Sequence, residues 1–504
     1  MLKAVAPCDV AALAKVSDSS SGQQRHAGVL LHPTSLPEFA NIGCLGQHAY
    51  RFVDFLASCG QQLWQMLPVG ATHSDGSPYQ PLSAYAGNSR FIDLHALKDQ
   101  GWLSQIDGDL SHQSQLDTAF NVFYASLSGA DEVAFRAFID QEKYWLRDFA
   151  LFCVIRDMQA GTSWLDWPES LRDHDEFYLN ELESSQQKKL DAVFFQQYIF
   201  SQQWKKLKVY ANQKNIQLFG DMPIFVALDS AEVWAQRQYF DVDESGCPRF
   251  VAGVPPDYFS ATGQRWGNPH YNWAVMQEQG FDWWLKRCQH DLKRFDLIRI
   301  DHFRGFEAYW KIPTECDTAI DGFWEKAPGQ ALFTVLCEHF PDAPFVAEDL
   351  GLITDEVIAL RKQFGLPGMA VLQFAFDGQD DNPHLPDNYE NLSVAYTGTH
   401  DNDTSLGWIQ SLDEHGRHRL AEHIDIECKD LPWPMIRAVL ESRAAMAIIP
   451  LQDILMLDSS HRMNTPGTTE GNWQWGFEWS LLTQTLCAKL LHATCHSGRL
   501  LVVK

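Results

Sequence analysis

Three acidic residues, Asp301, Glu348 and Asp401, each stand at or just beyond the end of a short apolar run of the sequence. A pair of carboxyl groups can supply one acid and one nucleophile, and cleavage of a glycosidic bond with retention needs such a pair, about 5 Å apart. The first hypothesis is therefore carboxylate chemistry on a neutral substrate.

Asp301 stands two residues after Arg299 in an apolar run. Because side chains alternate along a strand, the two residues face the same side. A neighbouring guanidinium lowers the pKa of a carboxyl group and keeps it ionised, as a nucleophile requires. The alternative is a purely structural Arg–Asp pair inside the fold.

Glu348 follows Phe345-Val346-Ala347 and precedes Asp349-Leu350-Gly351. Apolar flanks predict a raised pKa, which would keep the carboxyl group protonated as a general acid. The alternative is a cap on the next helix, expected to start near Thr354. Asp355 and Glu356 already suit that first turn, which weakens this alternative.

Asp401 belongs to the run 396–404, which contains His400 and Asp403 and is too polar for a strand interior. A metal site is the competing interpretation, but no H-E-x-x-H pair accompanies the run, and we predict no metal. The phosphate-binding, dinucleotide-binding and serine-hydrolase motifs are absent as well. We therefore predict no cofactor.

Short apolar, β-branched runs alternate with segments long enough for helices, which is typical of parallel strands. Eight such runs occur, at 28–33, 62–68, 216–225, 297–303, 345–350, 370–376, 393–400 and 445–455. They predict an α/β fold, a (β/α)8 TIM barrel whose working residues lie at the carboxyl ends of the strands. An open doubly wound sheet is the alternative.

Two gaps between these runs are too long for simple crossovers. Residues 70–215 predict a mainly helical insertion after the second strand. Residues 230–295 predict a loop-rich insertion over the active site, because the run 251–257 contains Gly and two Pro and demands turns. The remaining division is an N-terminal extension at 1–27 and a catalytic barrel at 28–504.

A formal net charge of −26 argues against nucleic acid and anionic membrane surfaces as partners. No run of about 18 apolar residues occurs. Eleven Cys show no C-x-x-C pair, which suggests reduced thiols and a cytoplasmic protein. We expect a monomer or weak oligomer. Eighteen Trp, many beside amide and charged groups, suit the apolar and polar faces of sugar rings.

The longest motifs are Arg-Ile-Asp-His-Phe-Arg-Gly at 299–305, Ala-Glu-Asp-Leu-Gly at 347–351 and the run 396–404. Shorter ones lie at 253–257, 466–468 and 471–473. Together, in this order, they resemble the 4-α-glucanotransferases called amylomaltases or disproportionating enzymes, a family of the α-amylase clan. The resemblance runs from about residue 28 to residue 475.

The resemblance implies that Asp301 is the nucleophile, Glu348 the acid/base and Asp401 the stabiliser of the transition state. It also implies substrate contacts at Tyr79, Asp221, Asp257, Trp266, Arg299, His302, His400 and Asn472. The implied substrates are α-1,4-glucans derived from maltodextrin, starch or glycogen. A segment would pass to the 4-hydroxyl of glucose or another glucan by a double displacement.

Two stretches depart from the pattern of that family. Cys44 stands in the run 42–46 where an acidic residue is common, and the run 70–76 is altered. Both concern outer parts of the chain, so they leave the binding of distal sugars open. A hydrolase that uses the same carboxylates and a non-catalytic glucan-binding protein remain as alternatives.

Overall fold

The computed structural model describes residues 24–37, 43–256 and 260–501. Its strands in chain order are β1 (His26–Leu30), β2 (Leu63–Gln65), β3 (Gln217–Met222), β4 (Phe250–Val254), β5 (Gln264–Pro269), β6 (Leu297–Ile300), β7 (Ala308–Pro313), β8 (Phe323–Lys326), β9 (Phe345–Ala347), β10 (Gly368–Val371), β11 (Ser393–Tyr396) and β12 (Met446–Pro450).

Eight of these strands form one parallel sheet in the order β10-β11-β12-β1-β2-β3-β6-β9. The two end strands meet, because the backbone N–H of Ala347 at the end of β9 donates to the carbonyl of Pro367 just before β10, at 2.8 Å. Strands such as β12, Met-Ala-Ile-Ile-Pro, are buried along their whole length, as strands covered on both faces must be. The predicted (β/α)8 barrel is confirmed.

Each of the eight predicted runs overlaps one barrel strand, but most of the predicted runs extend past the strand's end. The run predicted at 297–303 is a strand only to Ile300, and a short 3-10 helix follows at Phe303–Phe306. Polar residues that follow an apolar run lie in the βα turns, where the backbone is no longer hydrogen-bonded to the neighbouring strands. Asp301, Glu348 and Asp401 therefore lie beyond the ends of their strands, whereas Asp221 and Arg299 lie within theirs.

Sixteen helices lie in the described residues. They are α1 (Gln47–Ser58), α2 (Leu94–Asp99), α3 (His112–Ser126), α4 (Gly129–Met158), α5 (Glu169–Arg172), α6 (Glu176–Gln213), α7 (Ala231–Ala235), α8 (Trp273–Glu278), α9 (Asp282–Arg294), α10 (Gly329–His339), α11 (Asp355–Gln363), α12 (Ser405–Ser411), α13 (Glu414–Ala421), α14 (Trp433–Glu441), α15 (Leu451–Ile454) and α16 (Gln484–His496).

The segment between β2 and β3 contains helices α2 to α6. Its two long helices pack together through aromatic rings, with the rings of Phe135 in α4 and Tyr198 in α6 5.4 Å apart. β1 begins at His26, inside the range predicted as an N-terminal extension, and residues 1–23 lie outside the described part. The division of the chain into an extension and an interrupted barrel stays a prediction.

The segment between β3 and β6 is more regular than its Gly and Pro content indicates. β4 and β5 join β7 and β8 in an antiparallel sheet of order β5-β4-β7-β8, and α9 is a regular helix. The prediction of turns across 251–257 was wrong up to Val254. A Cβ atom at Gly253 would lie 2.1 Å from the carbonyl oxygen of Gln264, so this glycine lets β5 approach β4.

None of the helices in the described ranges has the length and apolarity that crossing a bilayer requires.

Candidate active site

Three neighbouring barrel strands bring three carboxyl groups to the same end of the barrel. Asp221 is the last residue but one of β3, while Asp301 directly follows β6 and Glu348 directly follows β9. Asp221 pairs with Arg299, and Ile300 with Ala347, so the strand ends are level. Strand register alone therefore places these carboxyl groups together at the carboxyl end.

The Arg299 guanidinium joins two of these carboxylates. Its Nη1 lies 2.6 Å from Asp221 Oδ2, and its Nη2 lies 2.9 Å from Asp301 Oδ1. Burial alone would lower the pKa of Arg299, but the two carboxylates raise it well above its usual value. Arg299 is therefore a fixed positive charge that compensates two negative ones, and the predicted pairing of Arg299 with Asp301 is confirmed.

Asp221 is almost completely buried beneath this bridge. The Tyr79 hydroxyl donates to its Oδ2 at 2.8 Å. Burial raises the pKa of the Asp221 carboxyl group, and Arg299 opposes that rise. Its other oxygen, Oδ1, is buried and has no hydrogen-bond partner among the described residues.

Glu348 is held by two backbone donors. The N–H of His302 donates to its Oε2 at 2.7 Å, and the N–H of Leu350 donates to its Oε1 at 3.1 Å. Burial raises the pKa of Glu348 to about 8, against the effect of Arg299 and with the help of the negative charge on Asp301. The structure thus agrees with the predicted protonated carboxyl group.

His302 has a left-handed backbone, with φ of 50°, which is uncommon for a residue other than glycine and typical of functional sites. It immediately follows Asp301, so one peptide unit links the proposed nucleophile to the donor that holds Glu348. Burial lowers the pKa of its imidazole to about 3, so the ring is neutral. The ring contacts Trp266 of β5 edge to face at 4.8 Å.

Asp401 lies on the loop after β11 and is far more exposed, with 47% of its side chain accessible. Asn464 Nδ2 donates to its Oδ1 at 2.7 Å, and His400 Nε2 lies 3.3 Å from the same oxygen. Arg462 donates to its backbone carbonyl at 2.9 Å. This carboxylate is therefore positioned by hydrogen bonds from a second loop.

Aromatic rings connect the two parts of the site. The ring of Tyr79 stacks on His400 with centroids 5.1 Å apart and an angle of 12°. Trp473 lies 5.9 Å from Tyr79 and 6.0 Å from His400. Because the Tyr79 hydroxyl also binds Asp221, this residue contacts both the strand-borne Asp221 and the loop-borne His400.

The structure brings together Asp221, Arg299, Asp301, His302, Glu348, Tyr79, Trp266, His400 and Asp401. Asn472 instead binds its own loop: it accepts from the N–H of Thr465 at 2.9 Å and donates to the carbonyl of Thr468 at 3.0 Å. Its role as a sugar contact stays a prediction. Asp257 lies outside the described residues.

Sequence reasoning missed Asn464, Arg462 and Trp473 as neighbours of His400 and Asp401. Asn464 stands two residues before the motif at 466–468, and Trp473 lies within the motif at 471–473. Their positions in or near these motifs could therefore have marked Asn464 and Trp473 as candidate site residues. The contact itself is between loops more than 60 residues apart in the sequence, which no local pattern indicates.

A family model described as 4-alpha-glucanotransferase matches residues 31–482. The chain belongs to the 4-alpha-glucanotransferase family. The resemblance found in the sequence motifs is confirmed, and the match begins directly after β1 and covers the other seven parallel strands.

Two relatives of this 4-alpha-glucanotransferase family member are similar to it over nearly their whole length. The 4-alpha-glucanotransferase of Thermus thermophilus is 46% identical over 471 residues, covering 90% of this chain and 94% of that protein. The Synechocystis sp. 4-alpha-glucanotransferase is 44% identical over 504 residues, covering 94% of this chain and 98% of that protein.

A solved structure, the amylomaltase from Streptococcus agalactiae in complex with acarbose, superposes with a TM-score of 0.90 at 36% identity. It covers 94% of this chain and 100% of that one. The amylomaltase from Corynebacterium glutamicum, at 18% identity and a TM-score of 0.72, shares the fold.

Proposed function

We propose that this member of the 4-alpha-glucanotransferase family transfers segments of α-1,4-glucans between chains, with Asp301, Glu348 and Asp401 as its catalytic residues. The substrates would be maltodextrins and glucans derived from starch or glycogen. The observation that carries the proposal is that an ionised and a protonated carboxyl group lie together at the carboxyl end of the barrel. A charge-compensated carboxylate, Asp301, lies beside a buried Glu348 with a raised pKa.

In the first step the Asp301 carboxylate attacks the anomeric carbon of the donor sugar. Glu348 gives its proton to the departing 4-oxygen, so the glycosidic C–O bond breaks as the bond to Asp301 forms. The proton of Glu348 is available at neutral pH because burial raises its pKa to about 8. Its oxygens are held in place by the backbone N–H groups of His302 and Leu350.

In the second step Glu348, now ionised, accepts a proton from the 4-hydroxyl of an acceptor sugar. That oxygen attacks the anomeric carbon, and the Asp301 carboxylate leaves with its electron pair, so the overall configuration is retained. Positive charge develops on the sugar ring in both steps. The exposed Asp401 carboxylate, fixed by Asn464, is the group we assign to its stabilisation.

Substrate contacts are assigned to the side chains around this centre. Asp221 Oδ1, which is buried without a partner among the described residues, is an acceptor for a sugar hydroxyl. The neutral His302 and the Tyr79 and Trp266 rings offer surfaces for the faces of a glucose unit. Asp257 and Asn472 complete the proposed set.

Maltotriose incubated with the purified protein, without any added cofactor, tests the proposal. The expected result is free glucose together with chains longer than maltotriose, resolved by chromatography. Chains longer than the substrate can arise only if the enzyme passes a glycosyl group to another sugar. The substitution Glu348→Gln must abolish both products.

Two other outcomes would contradict transfer. Glucose and maltose without longer chains would show a hydrolase that uses the same carboxylates. An unchanged substrate, with maltotriose nevertheless bound in calorimetry, would show a glucan-binding protein.

The proposal extends to a cytoplasmic location and a monomeric or weakly associated state. The eleven scattered Cys without C-x-x-C pairs support a reducing compartment. Sedimentation of the purified protein at micromolar concentration measures the association state, and a stable oligomer would contradict that part.

A further inference from the structure

The loop that carries His400 and Asp401 spans from Thr397, just after β11, to Ser405, the first residue of α12. It must hold a half-exposed carboxylate in a fixed position at the edge of the site. A loop of this length between a strand and a helix has many accessible conformations, and ordering it costs backbone conformational entropy. Something must therefore hold its two ends.

One side chain contacts both ends. Asp453 Oδ2 accepts from the Thr397 hydroxyl at 2.5 Å and from the Ser405 hydroxyl at 2.6 Å. Asp453 Oδ1 accepts from the Ser405 backbone N–H at 2.7 Å. A single carboxylate thus receives three hydrogen bonds from residues eight positions apart in the chain.

This carboxylate is buried together with its hydrogen-bond donors. Asp453 is 1% exposed, and Thr397 and Ser405 are fully buried. No cationic side chain forms an ion pair with Asp453 among the described residues, so the three donors supply the stabilisation of its charge. Burial raises the pKa of Asp453, and the hydrogen bonds of Ser405 and Thr397 oppose that rise. Charge-assisted bonds to a buried carboxylate are strong and directional, so the geometry they impose on the loop ends is narrow.

The position of Asp453 in the fold makes it suitable for this task. It lies in α15, which directly follows β12, and β12 pairs with β11 in the barrel. The carboxylate therefore stands on rigid secondary structure beside the strand from which the loop departs. It has no described contact with Asp301, Glu348 or Arg299.

We propose that Asp453 is a positioning residue for the transfer reaction, which fixes the His400–Asp401 loop by binding both of its ends. This inference rests on the proposed function. Asp453 does not contact the reacting sugar; it keeps Asp401 and His400 at the distance from the anomeric carbon that the transition state requires. A displacement of about 1 Å at such a group can cost on the order of 100-fold in rate.

The test compares Asp453→Ala, Asp453→Asn and Thr397→Val in the maltotriose assay, with kcat expressed per folded molecule. Asp453→Ala is expected to lower kcat about 10- to 100-fold with KM changed less than about threefold, because the transition state loses more than the ground state. Asp453→Asn keeps an acceptor for the Ser405 N–H and lets both hydroxyls reorient, so it is expected to recover most of the loss. Thr397→Val, which releases one end only, is expected to lie between the two.

The matched control is Asp191→Ala in α6. Asp191 is also 1% exposed, and it lies in the helical segment between β2 and β3, more than 200 residues before the His400–Asp401 loop in the sequence. It is expected to change stability but not kcat per folded molecule. The inference is overturned if folded Asp453→Ala retains kcat within twofold of wild type, if it only raises KM, or if Asp191→Ala loses as much. Should Asp453→Ala not fold, Thr397→Val decides by the same criteria.

The failure of this inference is distinguishable from that of the proposed function. A wild-type protein without transfer activity contradicts the proposed function, whereas an active wild type with an equally active Asp453→Ala contradicts only the inference.

Discussion

The two sides of the site are built by different means. Asp221, Asp301 and Glu348 stand at the ends of adjacent parallel strands, and Arg299 binds two of them in a buried ionic network. Asp401 lies on a loop, nearly half exposed, and hydrogen bonds from Asn464 and its own loop position it. The strand side sets charge and protonation, while the loop side supplies an exposed carboxylate whose side chain is held by Asn464 and whose backbone carbonyl is held by Arg462.

This contrast shows that side chains at one end of a barrel can be positioned in two ways. Strand register gives positions that no side-chain change easily alters, and burial shifts pKa values there. On the loop side, hydrogen bonds between segments that are distant in the chain set the position of the carboxylate. Substitution of Arg299, which positions the strand-side carboxylates, should therefore cost more than substitution of Asn464, which positions Asp401.

The largest effect is expected from Asp301→Asn or Glu348→Gln. Each removes a group that forms or breaks a bond to the reacting sugar, so kcat on maltotriose should fall by at least about 10⁴-fold. Circular dichroism should show the barrel intact. A variant with a tenth of wild-type activity would remove that residue from the mechanism.

The next largest effect is expected from Arg299→Lys, which keeps the charge but not the planar fork. A lysine ammonium cannot bind Asp221 and Asp301 in the same geometry, so kcat should fall about 100-fold. Arg437→Lys is a control outside the site. Equal activity in Arg299→Lys would mean that charge alone, without the bridging geometry, is sufficient.

The pH dependence of kcat/KM is the next smaller effect, and it reports on the strand side alone, through the protonation of Glu348. Glu348 must be protonated to act as an acid, and its pKa is raised to about 8. The value of kcat/KM should therefore stay level approaching pH 8 from below and decline about tenfold per pH unit above it.

The substitution Asn464→Ala should leave this alkaline decline in place, because Asn464 contacts Asp401 and not Glu348. A decline that moves with Asn464→Ala would show that the two sides are not independent.

The smallest effect is expected from Asn464→Ala itself. It deletes one hydrogen bond to a half-exposed carboxylate, so kcat should fall about three- to tenfold. Asn121→Ala, an exposed amide on α3, serves as the matched control. A loss as large as that of Arg299→Lys would contradict the contrast between the two sides.

The sequence predicted the strand side better than the loop side, for a physical reason. Apolar runs ending in Asp301 and Glu348 are local signals, and the two-residue spacing of Arg299 and Asp301 follows from strand alternation. The bond from the His302 N–H to Glu348 depends on a left-handed backbone at His302 that its residue type does not indicate.

The contacts of Asn464 and Asp453 join segments that are distant in the chain, so only the folded structure reveals them. The same limit explains the missed strand β4. Gly253 predicts a turn when read locally, but in the fold it allows two backbones to approach closely. Composition could not distinguish these uses of glycine.

The measurement that tests the central claim most directly is mass spectrometry of the Glu348→Gln variant incubated with α-glucosyl fluoride. Fluoride leaves without an acid, so Asp301 can form its bond to the sugar, while the missing base slows release of that sugar. The account predicts a single added glucosyl unit on the peptide that contains Asp301. A glucosyl unit on another carboxylate, or no adduct with turnover to a product of inverted configuration, would contradict it.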